Sequence, residues 1–124
     1  MTETIEHQTT SALVTGLLDI IDRQRWDDIP SVLAEDCVVE RPGAAPLTGL
    51  PRIDRFYREE RPIREGRHVV EHLLTGPGTA ACWGVFTGTT TDGTRMEVRF
   101  AETYRIRSGR IVRRTTYVHP PAGH

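Results

Sequence analysis

Residues 95–106 read RMEVRFAETYRI, and the alternation within them decides both the fold and where its chemistry is to be sought. Successive side chains of a strand point to opposite faces. Val98, Phe100, Tyr104 and Ile106 therefore share one face with Glu102, while Glu97, Arg99, Ala101, Thr103 and Arg105 make the opposite, polar face. The first face is that of a strand lying on a core, with a carboxylate set into it. Burying a carboxylate uncompensated costs several kcal/mol, or raises its pKa until it stays protonated. Glu102 is expected to have a task or a partner.

The same period of two runs through HVVEHLLT (68–75), AACWGVFTGTT (80–90) and GRIVRRTTYVH (109–119), separated by GPG, DG and SG turns. This spacing predicts consecutive antiparallel hairpins. Ahead of the strands the period is helical: Leu13, Leu17, Leu18, Ile20 and Ile21 predict an amphipathic helix from an N-cap at Ser11 to about Arg25. Asp27 or Asp28 is expected to cap a short second helix with Ile29, Val32 and Leu33, Pro30 falling in its first turn. DCVVERP (36–42) predicts a short strand halted by Pro42, and residues 49–60 a third helix with Ile53, Phe56 and Tyr57 on one side. The sum is a single α+β domain over residues 1–124, three helices covering one face of a curved antiparallel sheet, with loose ends at about 1–10 and 120–124.

Composition narrows the function. The chain has 16 basic residues, all arginine, against 17 acidic ones, and no run of like charge longer than two. Neither nucleic acid nor an anionic membrane is an expected partner. The absence of lysine reflects a GC-rich coding bias and hints at a bacterial source. The first thirty residues hold no signal-like apolar run, and no stretch approaches about eighteen apolar residues, so a cytoplasmic protein is expected. Cys37 and Cys82 each sit in an apolar run and read as buried free thiols.

Several side chains are candidates for a site. HVVEH formally matches the pattern HxxEH, but that motif needs a helix, and Val69 and Val70 argue for a strand on which His68 and His72 share a face and stand well apart. No metal is expected. His72 is a candidate to line a pocket and relay a proton. Trp83, Val85 and Thr87 alternate on one strand face and, with Phe56, Phe100 and Tyr104, are candidates for an apolar wall suited to a ring-shaped ligand. In the last strand alternation allows two inward sets, one with Val112, Arg114, Thr116 and Val118, the other with Ile111, Arg113, Thr115 and Tyr117.

The helix ending in RW, the segment DDIPSVLAEDCVVERP (27–42), the helix start TGLPRIDRFY (48–57) and the hairpin RSGRIV (107–112) together resemble the SnoaL-like and ketosteroid-isomerase-like branch of the NTF2-like superfamily, over roughly residues 12–118. The resemblance implies a conical fold with a deep apolar pocket between helices and sheet, and no cofactor. VVERPGAAPLTG (38–49) is similar to the loop in which ketosteroid isomerases carry a proton-shuttling aspartate, and Arg41 stands in its place. Leu17 stands where that family has an oxyanion-donating tyrosine, Glu102 where it has a protonated aspartic acid, and Tyr57 at a supporting tyrosine. Limonene-epoxide-hydrolase-like relatives would have an arginine at Phe100 and an aspartate at Thr116, so neither catalytic set is intact. The family register favours the inward set containing Arg114.

Two functions follow as expectations. One is a cofactor-independent acid–base enzyme of isomerase, cyclase or epoxide-hydrolase type, acting on a hydrophobic cyclic or polyketide-like molecule in bacterial secondary metabolism. In it Glu102 is proton donor or base, Arg41 and Arg114 hold an oxyanion, and Tyr57 and His72 orient it. Leu17, Phe56, Trp83, Val85, Phe100, Tyr104, Thr116 and Val118 would bind the substrate. The other is a non-catalytic ligand-binding or assembly domain, in which Glu102 is a structural ion pair with Arg114. The resemblance also implies a homodimer through the outer sheet face carrying Arg99, Thr103, Arg105, Thr115 and Tyr117.

Overall fold

The computed structural model describes residues 2–119, and the side chains from residue 7 onward. Helix α1 spans Thr2–Asp22 and is followed by a 3-10 segment, Trp26–Ser31. Strands β1 (Leu33–Glu40) and β2 (Leu47–Thr48) lead into α2 (Leu50–Arg55), which runs on as one π turn, Phe56–Glu60. Four long strands complete the chain: β3 (Ile63–Gly76), β4 (Thr79–Thr90), β5 (Arg95–Arg107) and β6 (Arg110–His119). They form one open six-stranded sheet in the order β2-β1-β6-β5-β4-β3. All neighbours are antiparallel except β1 and β6, which run parallel.

The expected α+β architecture is the one found, with corrections at the helices. No proline or glycine interrupts residues 2–10, so α1 continues through the segment expected to be loose. Ser11 is therefore interior to the helix rather than its cap, and its buried hydroxyl has no partner. Asp27 and Asp28 do not cap the second helix, which is a 3-10 segment begun at Arg25 without a side-chain cap, and Leu33 already belongs to β1. The expected loose end at 120–124 lies outside the described residues.

The core lies between α1, α2 and the concave face of the sheet. Val14, Leu17, Ile21, Ile53, Leu33 and Ile111 are each at most 2% exposed within it. Curvature comes from small residues and bulges. A Cβ on Gly84 would stand 1.9 Å from the Val69 carbonyl oxygen, so β3 bends over β4 only because position 84 has no side chain. Glu71 is an extra residue in β3, since Val70 pairs with Gly84 and His72 already with Trp83. Val112 is likewise extra in β6, between the pairs Ile106–Ile111 and Arg105–Arg113. Each such bulge sharpens the twist and inverts the facing of everything beyond it. Ser108 and Gly109, with φ of 53° and 74°, make the tight turn joining β5 to β6.

Among the described residues no helix is long and apolar enough to cross a membrane, and no group of three or more His, Cys, Asp or Glu side chains is gathered as a metal would require. Both cysteines are buried and unpaired, and burial pushes each thiol up to about 11.

Candidate functional site

A cavity of about 200 Å³ opens between the concave sheet face, α1 and the end of α2. Its floor is built by β5 and β6. Glu102, 1% exposed, pairs across the strands with Thr116, and Arg114, 6% exposed, lies one register step away opposite Tyr104. The Val112 bulge explains how the sequence's two alternative faces both contribute: Ile111 and Arg114 point inward together because one residue has been inserted between them. Thr116 and Val118 follow Arg114 into the cavity, whereas Arg113 turns outward to Glu40.

The polar groups on the floor form one network. Arg114 Nη2 donates to Glu102 Oε2 at 2.6 Å, and Nη1 donates to the Tyr57 hydroxyl at 2.8 Å. Thr116 Oγ1 donates to the same carboxylate oxygen at 2.8 Å, and the Tyr104 hydroxyl donates to Oε1. Burial pushes the Glu102 carboxyl up, but the Arg114 charge, the Tyr104 hydrogen bond, nearby His68 and Thr116 together hold it below the usual carboxylate range. Glu102 is therefore an ionised partner of Arg114, the ion pair that the sequence left open beside the roles of proton donor and base. Burial opposes the charge on Arg114, and the adjacent Glu102 more than restores it. Tyr104 is raised well above its ordinary value, by burial and by Glu102 beside it.

Arg41 lies past the end of β1 on the side of buried Val39, while Glu40, facing the other way, accepts from Thr115 and Arg113. Its guanidinium stacks over Phe56 at 4.4 Å and donates to the Ala45 carbonyl at 3.0 Å. Arg61, just beyond the π turn, also lines the cavity and spreads over Tyr57 and Trp26 at 5.9 and 5.8 Å. Burial lowers its pKa, as does neighbouring Arg114. Among the described residues neither Arg41 nor Arg61 has a carboxylate partner, and the buried Nε atoms of Arg41 and Arg114 make no hydrogen bond. One carboxylate thus faces three guanidiniums, a cavity suited to an anion.

Of the expected site residues the cavity brings together Glu102, Arg114, Arg41, Tyr57, Phe56, Phe100, Thr116 and Val118. Leu17 and Tyr104 are buried behind its wall, Tyr104 reaching it through Glu102. His72, Trp83 and Val85 are corrected. Trp83 pairs with Ala101 and Val85 with Arg99, both on the outer face of β5, so they point away from the cavity. The inward face of β4 is Ala80, Cys82, Gly84, Phe86 and Gly88, and Phe86 supplies the wall. The Glu71 bulge puts His72 on the outer face, stacked on Trp83 at 5.1 Å, and His68 on the inner one.

His68 and Arg61 are the polar residues that sequence reasoning missed. His68 Nδ1 lies 2.6 Å from Asp22 Oδ1, and its backbone N–H donates to Asp22 Oδ2 at 2.8 Å. The ring packs on Phe86 and Phe100, with centroids 4.7 and 5.3 Å away. The only signal in the sequence was the HVVEH pair itself.

The curved sheet covered by N-terminal helices is the fold of solved structures named NTF2-like. The family profile of the SnoaL-like domain matches residues 14–114, and the chain belongs to that family. No curated protein matches the sequence. Among solved structures, an NTF2-like protein of unknown function from Burkholderia pseudomallei superposes with a TM-score of 0.82 at 17% identity, covering 90% of this chain and 91% of its own. An LEH-like epoxide hydrolase of M. tuberculosis gives 0.80 at 14% identity, with 90% and 84% covered. A protein of ketosteroid isomerase-like fold from Catenulispora acidiphila gives 0.75 at 18% identity, with 85% and 83% covered. At these identities the likeness concerns the fold.

Proposed function

We propose that this SnoaL-like domain is a cofactor-independent acid–base enzyme acting on a small, apolar, cyclic or polyketide-like molecule on which an oxyanion develops. The observation that carries the reading is Arg114: it is buried and held by Glu102 and Tyr57, and with Arg41 and Arg61 it lines a cavity in which one carboxylate stands against three guanidiniums. Guanidiniums fixed in place stabilise a developing negative charge without reorganising. Glu102 serves as the countercharge that positions Arg114, and Phe56, Phe100, Phe86 and Val98 supply apolar walls. The test is a spectrophotometric titration with 4-nitrophenol. A bound phenol whose apparent pKa falls below its free value supports the reading, more weakly in Arg41→Met. A bound pKa that is unchanged or raised, or no binding, refutes it.

A second reading, a non-catalytic ligand-binding or assembly domain, is favoured by one observation. Glu102 accepts from three donors, which leaves it no proton to give and weak basicity. It predicts ligand-induced thermal stabilisation without turnover of any bound compound.

Under either reading the protein is expected to pair as a homodimer through the outer sheet face. There Val69, Leu74, Trp83 and Tyr117 are exposed beside Arg99, Thr103, Arg105 and Thr115. Sedimentation showing only monomer at micromolar concentration would rule this out.

A further inference from the structure

We infer that His68, oriented by Asp22, is the proton-transferring group of this cavity, a role that rests on the oxyanion-holding reading above. Glu102 is ionised and occupied by three donors, so a reaction that builds negative charge in front of Arg114 needs its base elsewhere. His68 is the one imidazole among the cavity's lining residues. A carboxylate only accepts, so Asp22 Oδ1 at 2.6 Å fixes the proton on Nδ1. The lone pair is then on Nε2, at the ring edge away from α1, and Nε2 has no hydrogen-bond partner among the described residues. The Asp22 bond to the backbone N–H of His68 and the flanking rings of Phe86 and Phe100 lock the imidazole plane. An acid–imidazole pair with one nitrogen tied and the other free is how a protein presents a base of defined tautomer.

The dyad also has a route outward. His68 and Asp22 form part of the wall of a second, solvent-open groove between α1 and β3, lined by Thr15, Asp19 and Arg67. The ring thus stands between the cavity and the groove. A proton taken on Nε2 gives an imidazolium that the Asp22 carboxylate stabilises through the Nδ1–H bond, and Nε2 then releases that proton to water, which restores the neutral Nδ1–H tautomer. His68 is the catalytic residue here, and Asp22 is a positioning residue.

The probe is 5-nitrobenzisoxazole, which needs only a base. Nε2 takes the proton from the carbon beside the ring nitrogen, that C–H electron pair becomes the third bond of a nitrile, and the N–O bond breaks to leave a phenolate facing Arg114 and Tyr57. His68→Gln is expected to lower kcat about 100-fold or more with little change in KM. Asp22→Asn is expected to lower kcat about tenfold or more, and to change the 15N shifts of His68 from the Nδ1–H to the Nε2–H pattern. Because Asp22→Asn also perturbs the bond to the His68 backbone N–H, the tautomer is read in the unaltered protein as well, where Nδ1–H is required and Nε2–H overturns the inference. Binding of 4-nitrophenolate is measured in parallel. If the unaltered protein and His68→Gln both bind it and react with the probe at equal rates, or at none, the dyad is refuted and the anion-holding cavity stands. If the unaltered protein binds none, the cavity reading fails and the inference with it.

Discussion

Replacing Arg114 by Met leaves the Glu102 carboxylate, 1% exposed, with hydrogen bonds from Tyr104 and Thr116 but without its countercharge. Charges centred about 4 Å apart attract by about 4 kcal/mol at an effective dielectric of 20. Removing one partner of a buried pair costs roughly 3–5 kcal/mol for the same reason. For a domain of this length that is a fall in Tm of roughly 10–20 °C at pH 7.5. The cost should depend on pH in a definite sense. In the unaltered protein Glu102 is held below its unfolded value, so its stabilisation is complete above about 4.3 and is lost as pH falls through the folded value. In Arg114→Met burial, the largest influence on this carboxyl, is opposed only by His68 and the Tyr104 and Thr116 hydrogen bonds, and should raise it above the unfolded value, so that protonation relieves the penalty as pH falls. The gap in Tm between the two proteins should therefore narrow from pH 7.5 to pH 5. The double variant Glu102→Gln/Arg114→Met, with neither charge buried, should recover much of the loss. Thermal melts followed by circular dichroism measure all three. A loss below about 1 kcal/mol for Arg114→Met, with no pH dependence, would mean that water reaches the pair and would refute the reasoning.

Two further predictions concern the scaffold. Gly84→Ala drives a methyl into the Val69 carbonyl and should cost about 3 kcal/mol by urea denaturation; a neutral effect would contradict the close approach of β3 to β4. Cys37 and Cys82, buried and raised to about 11, should resist a disulfide reagent at neutral pH in the folded protein and both react in denaturant, so rapid labelling of the native chain would contradict their burial.

The alternation in β5 was legible because no bulge interrupts residues 95–105, and it placed Glu102 on the buried face correctly. Hairpin turns and the third helix were legible from glycine and proline chemistry for similarly local reasons. Misplacement began where one added residue reverses a strand. The Glu71 bulge exchanges His72 for His68 in the cavity, and the Val112 bulge admits both Ile111 and Arg114, and neither leaves a mark in a period of two. Trp83 and Val85 misled for another reason. The bend of the sheet demands small residues on the concave face of β4, so its larger side chains other than Phe86 lie outside. Asp22 could not be joined to His68, 46 residues away, before the path of α1 over β3 was known.

The central claim is that the carboxylate on the cavity floor is ionised and serves Arg114, so that the cavity holds negative charge and takes its base from elsewhere. A carbon-13 NMR titration of labelled glutamate carboxyls, with Glu102 assigned by its absence in Glu102→Gln, measures this directly. The account predicts a pKa below about 4.3, the ordinary value for glutamate. A value raised well above it would show a neutral carboxyl ready to donate a proton, and would contradict the account.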